Sequence, residues 1–216
     1  MTLSINDLND KHGEFLVKLA RSALEKYILE GKKIKRPERT PAILKEPAGV
    51  FVTLNKRLDS EETLRGCIGY LQPIKPLVEA TIDMAIAAGT QDPRFPPVEA
   101  NELSRIVIEV TVLTPPKEIL AETPEELVKE IVLGRDGLII EYKSEFGTYA
   151  GTLLPQVPIE YGWTVEEFLD NLCWKAGLRP GCWREKEARI YAYQGAIWKE
   201  ISPRGNVIRI KLEKNR

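Results

Sequence analysis

The chain has 216 residues, 43% hydrophobic and 29% charged, and its 31 basic and 32 acidic residues leave a net charge of −1. That composition excludes collagenous, low-complexity and disordered classes and fits one ordinary domain, or one domain with two lobes. The near-neutral balance argues against a global grip on nucleic acid, and the longest uncharged stretch, residues 146–159, contains Pro155 and Pro158 and cannot span a bilayer.

Three cysteines, Cys67, Cys173 and Cys182, form an odd set without paired spacing. This fits a reducing compartment and predicts a cytoplasmic protein that folds without disulfides, with Cys173 and Cys182 the one pair placed to approach each other. No signal-peptide pattern opens the chain; Asn6, Asp7, Asn9 and Asp10 are polar. A single histidine, His12, rules out a His-rich metal site, and neither a P-loop nor a dinucleotide fingerprint is present. No metal and no cofactor are expected.

In chain order, Leu16, Leu19, Ala20, Ala23 and Tyr27 recur at helical spacing and predict a helix over residues 8–30, stopped by Gly31. Residues 32–46 form a basic loop with six cations against Glu38 and Glu46. Residues 50–54 and 63–71 read as strands joined by a turn over 57–62. Pro76 opens a helix running to Ala88, and a proline-rich loop follows over residues 91–97. Residues 106–113 are the clearest strand. Thr123 and Glu126 form a capping box for a short helix. Residues 138–143 and 146–154 suggest a second hairpin. Thr164 and Glu167 cap a helix ending at Gly177, and strands over 190–198 and 207–212 close the chain. Hairpins with interspersed helices indicate an α+β fold with an antiparallel or mixed sheet and flanking helices.

The segment Leu64-Arg65-Gly66-Cys67-Ile68-Gly69 stands out, because glycines inside a strand mark a bulge or a close approach. In a regular strand Leu64, Gly66, Ile68 and Tyr70 share the core face, and Arg65, Cys67 and Gly69 share the other. A guanidinium beside a thiol favours thiolate and can hold a small anion, while Gly69 leaves open space. The alternative is a small buried cysteine and an arginine in a surface ion pair. Valine at Gly69 is then expected to cost little stability, and valine at Gly66 to overpack the interior.

The run from Leu64 to Gly69 resembles the signature of the AMMECR-type domain family, named for a chromosomal region linked to Alport syndrome. Residues 91–98 (QDPRFPPV), 153–157 (LLPQV) and 161–183 resemble the same family, so the likeness covers about residues 16–198. It implies a two-lobed α+β domain, the larger, unequal lobe built from both chain ends, with the signature near a groove between lobes. It also implies that no biochemical function is established, and that a Memo-like protein and a radical-SAM enzyme are pathway partners in prokaryotes. The abundance of Lys, Arg and Glu and the prolines in loops add the expectation of a thermophilic source.

Other residues extend the candidate site. Asp92 and Arg94 flank Pro93 on a stiff loop, either completing a cleft or closing a structural connection. Gln156 sits between apolar neighbours, bonding loop backbone or pointing into a ligand groove. Glu109 interrupts an apolar strand, facing solvent or an arginine, or else buried as an acid with a raised pKa. Tyr191 and Tyr193 with Arg189 form a conceivable base-stacking platform, although nucleic acid is disfavoured. Two function classes stand. One is a small-molecule or enzymatic site with Cys67 catalytic and Arg65, Gly66, Gly69, Asp92, Arg94 and Gln156 ligand-binding. The other is a non-enzymatic adaptor docking a macromolecule.

Overall fold

In a computed structural model, the structure describes residues 3, 5–59 and 61–211; Ser60 of the predicted turn and Leu212 of the predicted last strand lie outside them. The elements are α1 (Asp10–Glu30), β1 (Gly49–Leu58), β2 (Glu61–Tyr70), α2 (Leu77–Thr90), β3 (Ile106–Leu113), β4 (Lys117–Glu118), α3 (Pro124–Glu130), β5 (Asp136–Ser144), β6 (Gly147–Leu153), α4 (Val157–Glu160), α5 (Val165–Lys175), β7 (Ala188–Glu200) and β8 (Val207–Ile210). The fold is α+β, and its hairpins pair antiparallel.

Local chemistry sets the helix ends. The Asn9 side chain accepts the His12 N–H at 3.1 Å, and His12 Nδ1 accepts the Asn9 N–H at 3.3 Å, so the only histidine caps α1. Gly31, at φ 67°, ends the helix in the left-handed conformation that glycine adopts without strain. Thr164 and Glu167 form the expected reciprocal box at the start of α5, and Thr123 caps α3. The first hairpin is longer than predicted: β1 and β2 pair as far as Leu58↔Glu61, through the charged residues Lys56 and Arg57. Hydrophobic patterning missed this extension because those residues lie beyond the apolar core.

The molecule divides into two compact units, residues 3–115 with 196–210, and residues 116–195 with 211. In the first, β2, β1 and β3 lie side by side, and β8 pairs with the end of β7. Val50, Val52 and Leu54 of β1 and Ile106, Ile108, Val110 and Val112 of β3 form one core with the apolar stripes of α1 and α2. Across it runs a buried polar tie. Arg21 of α1 bonds both carboxylate oxygens of Glu200 and donates to the Leu103 and Ile106 carbonyls, while Glu200 accepts the Ile108 N–H at 3.0 Å. The basic loop after α1 is partly neutralised by acids of α2, through Lys33–Asp83 and Arg36–Glu79 ion pairs.

In the second unit, β6, β5 and the first part of β7 pair in that order, and β4 adds to β7. Phe168, Leu169 and Leu172 of α5 pack with Leu138, Ile140 and Ile190. The expectation of a chain without disulfides is corrected here. Cys173 and Cys182 are bonded, their Cα atoms 5.9 Å apart. Helix α5 ends at Lys175, and the chain doubles back through Gly177 and Gly181, both at positive φ, which brings Cys182 onto the last turn of the helix. The conceivable base-stacking platform is also absent: Tyr193 is 1% exposed, and its hydroxyl is engaged by Thr152 and the Leu153 carbonyl.

Candidate functional site: the β2 edge and its covering loop

Strand β2 is not regular. Gly66 faces Leu54 and Leu64 faces Asn55, so Arg65 is an extra residue, a β-bulge. The bulge moves Leu64 off the core face, where strict alternation had put it, and leaves it 41% exposed. Gly66, Ile68 and Tyr70 do face the core of the first unit. A Cβ on Gly66 would stand 2.1 Å from the Ala88 carbonyl oxygen, so this glycine lets the backbone of α2 approach the strand.

Arg65 does not present a free cation. It is 8% exposed, and Glu102 accepts from its Nε at 3.0 Å and its Nη2 at 2.9 Å, with the Pro97 carbonyl taking a third bond. Lys56 reaches the same carboxylate at 2.9 Å. Its Arg65 hydrogen bonds hold the Glu102 carboxyl down to about 2, against the cost of burial, with help from the Glu99 N–H and Lys56.

On the other face the register aligns Cys67 with Thr53, and Thr53 with Glu109. The Thr53 hydroxyl lies 3.2 Å from Cys67 Sγ and donates to it. Burial pushes the Cys67 thiol up, and the opposing pulls of the Thr53 bond and the Arg94 charge do not overcome it. The cation expected to favour a thiolate is thus bonded elsewhere, and burial favours the neutral thiol of the alternative reading. The open space expected at Gly69 is also filled. Gly69 lies opposite Phe51, and a Cβ there would meet the Phe51 ring at 2.3 Å and the Val50 carbonyl oxygen at 2.5 Å.

The loop after α2 covers the free edge of β2. Asp92, 4% exposed, accepts the Cys67 N–H at 2.8 Å and the Arg94 N–H, Nε and Nη2 at 3.1, 2.9 and 2.7 Å. These bonds hold its carboxyl well below the usual range. Phe95 donates its N–H to the Asp92 carbonyl, and the Arg65 and Arg94 guanidinium carbons lie 5.9 and 5.5 Å from its ring centre. The Val98 N–H bonds the Gly89 carbonyl at 2.7 Å. An edge strand offers unpaired amides to any other strand, and here one carboxylate occupies the central one.

Six of the seven predicted site residues therefore converge, as a brace rather than as a set of free donors. Gln156 belongs to the second unit, where it precedes α4 with a buried Oε1 that has no hydrogen-bond partner. Sequence reasoning missed Glu102 and Thr53. Glu102 is 37 positions from its arginine and carries no local signal. Thr53 follows from the hairpin only once the bulge is known. Among the described residues, no group of three His, Cys, Asp or Glu side chains could hold a metal ion, and no helix is long and apolar enough to cross a membrane.

The AMMECR1 family model matches residues 17–198. Protein PYRAB00100 of Pyrococcus abyssi is 52% identical, covering 95% of this chain and 98% of its own. Protein MJ0810 of Methanocaldococcus jannaschii is 50% identical over 94% of this chain and 96% of its own. The crystal structure of uncharacterized protein PH0010 from Pyrococcus horikoshii matches with a TM-score of 0.88 at 50% identity, over 95% of this chain and 99% of that one. These relatives come from thermophilic archaea, and neither their names nor the domain's supply an established function. Matched over most of its length, the chain belongs to the AMMECR1 family.

Proposed function

We propose that this protein is a non-enzymatic binding module of the cytoplasm, and that the loop from Pro93 to Pro97 on the β2 edge is its docking surface for a protein partner. The observation that carries this reading is the internal pairing of the signature's charges: Arg65 is held by Glu102 and Asp92 by Arg94 and the Cys67 amide. A catalytic thiol needs a lowered pKa or a base, whereas Cys67 is pushed up and the histidine caps a helix. What the brace leaves outward is a stiff surface. Pro93, Arg94, Pro96 and Pro97 are exposed, three prolines fix the backbone, and the Arg94 side chain is 53% accessible while its far side is anchored. Such preorganisation lowers the ordering cost of binding. Family association makes a Memo-like protein and a radical-SAM enzyme the first partners to test.

A photo-crosslinking amino acid at position 94, with a control at Lys11 on α1, tests the reading in cells. One discrete protein adduct from position 94 alone is expected. Alkylation provides the second arm: native Cys67 should react more slowly than a free model thiol near neutral pH. Faster alkylation, or identical adducts from both positions, overturns the proposal.

A further inference from the structure

The two outer strands of the fold are treated differently. β2 carries a bulge, two glutamates and a covering loop. β6, the outer strand of the second unit, has none of these. Its sequence, Gly-Thr-Tyr-Ala-Gly-Thr-Leu, contains no charge and no proline, and it pairs with β5 through Ser144↔Gly147 to Leu138↔Leu153 without a register shift. Among the described residues, no other strand pairs with it. Gly147, Thr148, Tyr149 and Ala150 are exposed. Phe146, at the hairpin tip, is 90% exposed, and Trp174 is 74% exposed on α5, whose end packs against Gly151. Unpaired, uncharged edges invite strand addition, and aromatic side chains are enriched where proteins associate.

We infer that a second copy of this chain pairs with β6, strand against antiparallel strand, about a two-fold axis through Ala150. The strand is complementary to itself in that register. Ala150 faces Ala150, Thr148 faces Thr152, and Tyr149 faces Gly151, beside the end of α5 that packs on that glycine. One step past the strand, Phe146 falls opposite Leu154 of the second copy. No like charges meet, which is the condition for a closed, isologous interface. A strand from an unrelated protein would need its own match to these small and aromatic positions, whereas the second copy supplies it by symmetry. This surface lies in the second unit and does not depend on the docking loop of the first.

Sedimentation of the full chain at about 5–100 μM tests the inference, a range in which dimers of standard interface size assemble. The mass should approach twice 24.4 kDa. Ala150→Lys puts two ammonium groups face to face at the axis and should return the chain to monomer. Ala150 is exposed, so at a dilution where both chains are monomeric the variant should melt with the wild type. In parallel, Ala150→Cys should form a disulfide-linked dimer under mild oxidation, and Lys11→Cys should not. A monomer throughout the range, an undiminished dimer in Ala150→Lys, or equal cross-linking of the two cysteine variants overturns the inference.

Discussion

The Arg65–Glu102 pair decides whether the signature arginine binds a ligand or holds the fold, and Glu102→Gln reads it directly. Glu102 is 14% exposed and its carboxyl is lowered from 4.5 to about 2. At about 1.4 kcal/mol per pH unit, that difference corresponds to about 3.5 kcal/mol of folding stability. The sign follows from the direction: the folded-state value lies below the unfolded one, so the contribution is complete above pH 4.5 and is lost as pH falls towards 2. The charge-neutral variant should therefore be less stable at pH 7 by about 2–3.5 kcal/mol, the lower figure allowing for solvent reaching the pair. At pH 2 most of the gap should have closed, because the wild-type carboxyl is then about half protonated. Urea unfolding followed by tryptophan fluorescence, at matched ionic strength across that range, measures both ends. A variant as stable as wild type at pH 7, or a gap that persists unchanged at pH 2, would show that Arg65 is not held by Glu102 and would return it to the list of ligand anchors.

Three further outcomes follow from packing and covalent geometry. Gly66→Val should lower the melting temperature most, since its new methyl groups meet the Ala88 carbonyl of a packed helix, and Gly69→Val should also destabilise by about 1–3 kcal/mol against Phe51; a neutral Gly69→Val would refute the filled-space assignment. Thiol titration of the denatured, unreduced chain should find one free cysteine, and three after reduction, while replacing Cys173 and Cys182 by alanine should cost about 2–3 kcal/mol for a loop this short; three thiols without reductant would contradict the bond. Glu200→Gln should cost about 3–5 kcal/mol by stranding buried Arg21, and Arg21→Met with Glu200→Met should recover most of it; a harmless single variant in denaturant melts would show that the tie carries no weight.

Much of the architecture was legible in the residues alone. Helical spacing with Gly31, the boxes at Thr123 and Thr164, and the apolar run of β3 are signals confined to a few neighbouring positions, and each element formed where those signals lay. The signature and its covering loop were also legible as candidates, because glycines in a strand and prolines around Asp92 are locally expensive choices. Their roles were not. A bulge at Arg65 is one residue of slippage that no pattern of alternation announces, yet it turns Leu64 outward and Arg65 inward. The partners that neutralise Arg65 and Asp92, and the burial that raises Cys67, come from strand register and a loop folded back over an edge. The disulfide similarly depends on two glycines turning the chain back onto α5, not on the spacing of the cysteines. Local propensity determined which elements form; only tertiary packing, which sets who is desolvated and who is neutralised, decided what the site residues can do.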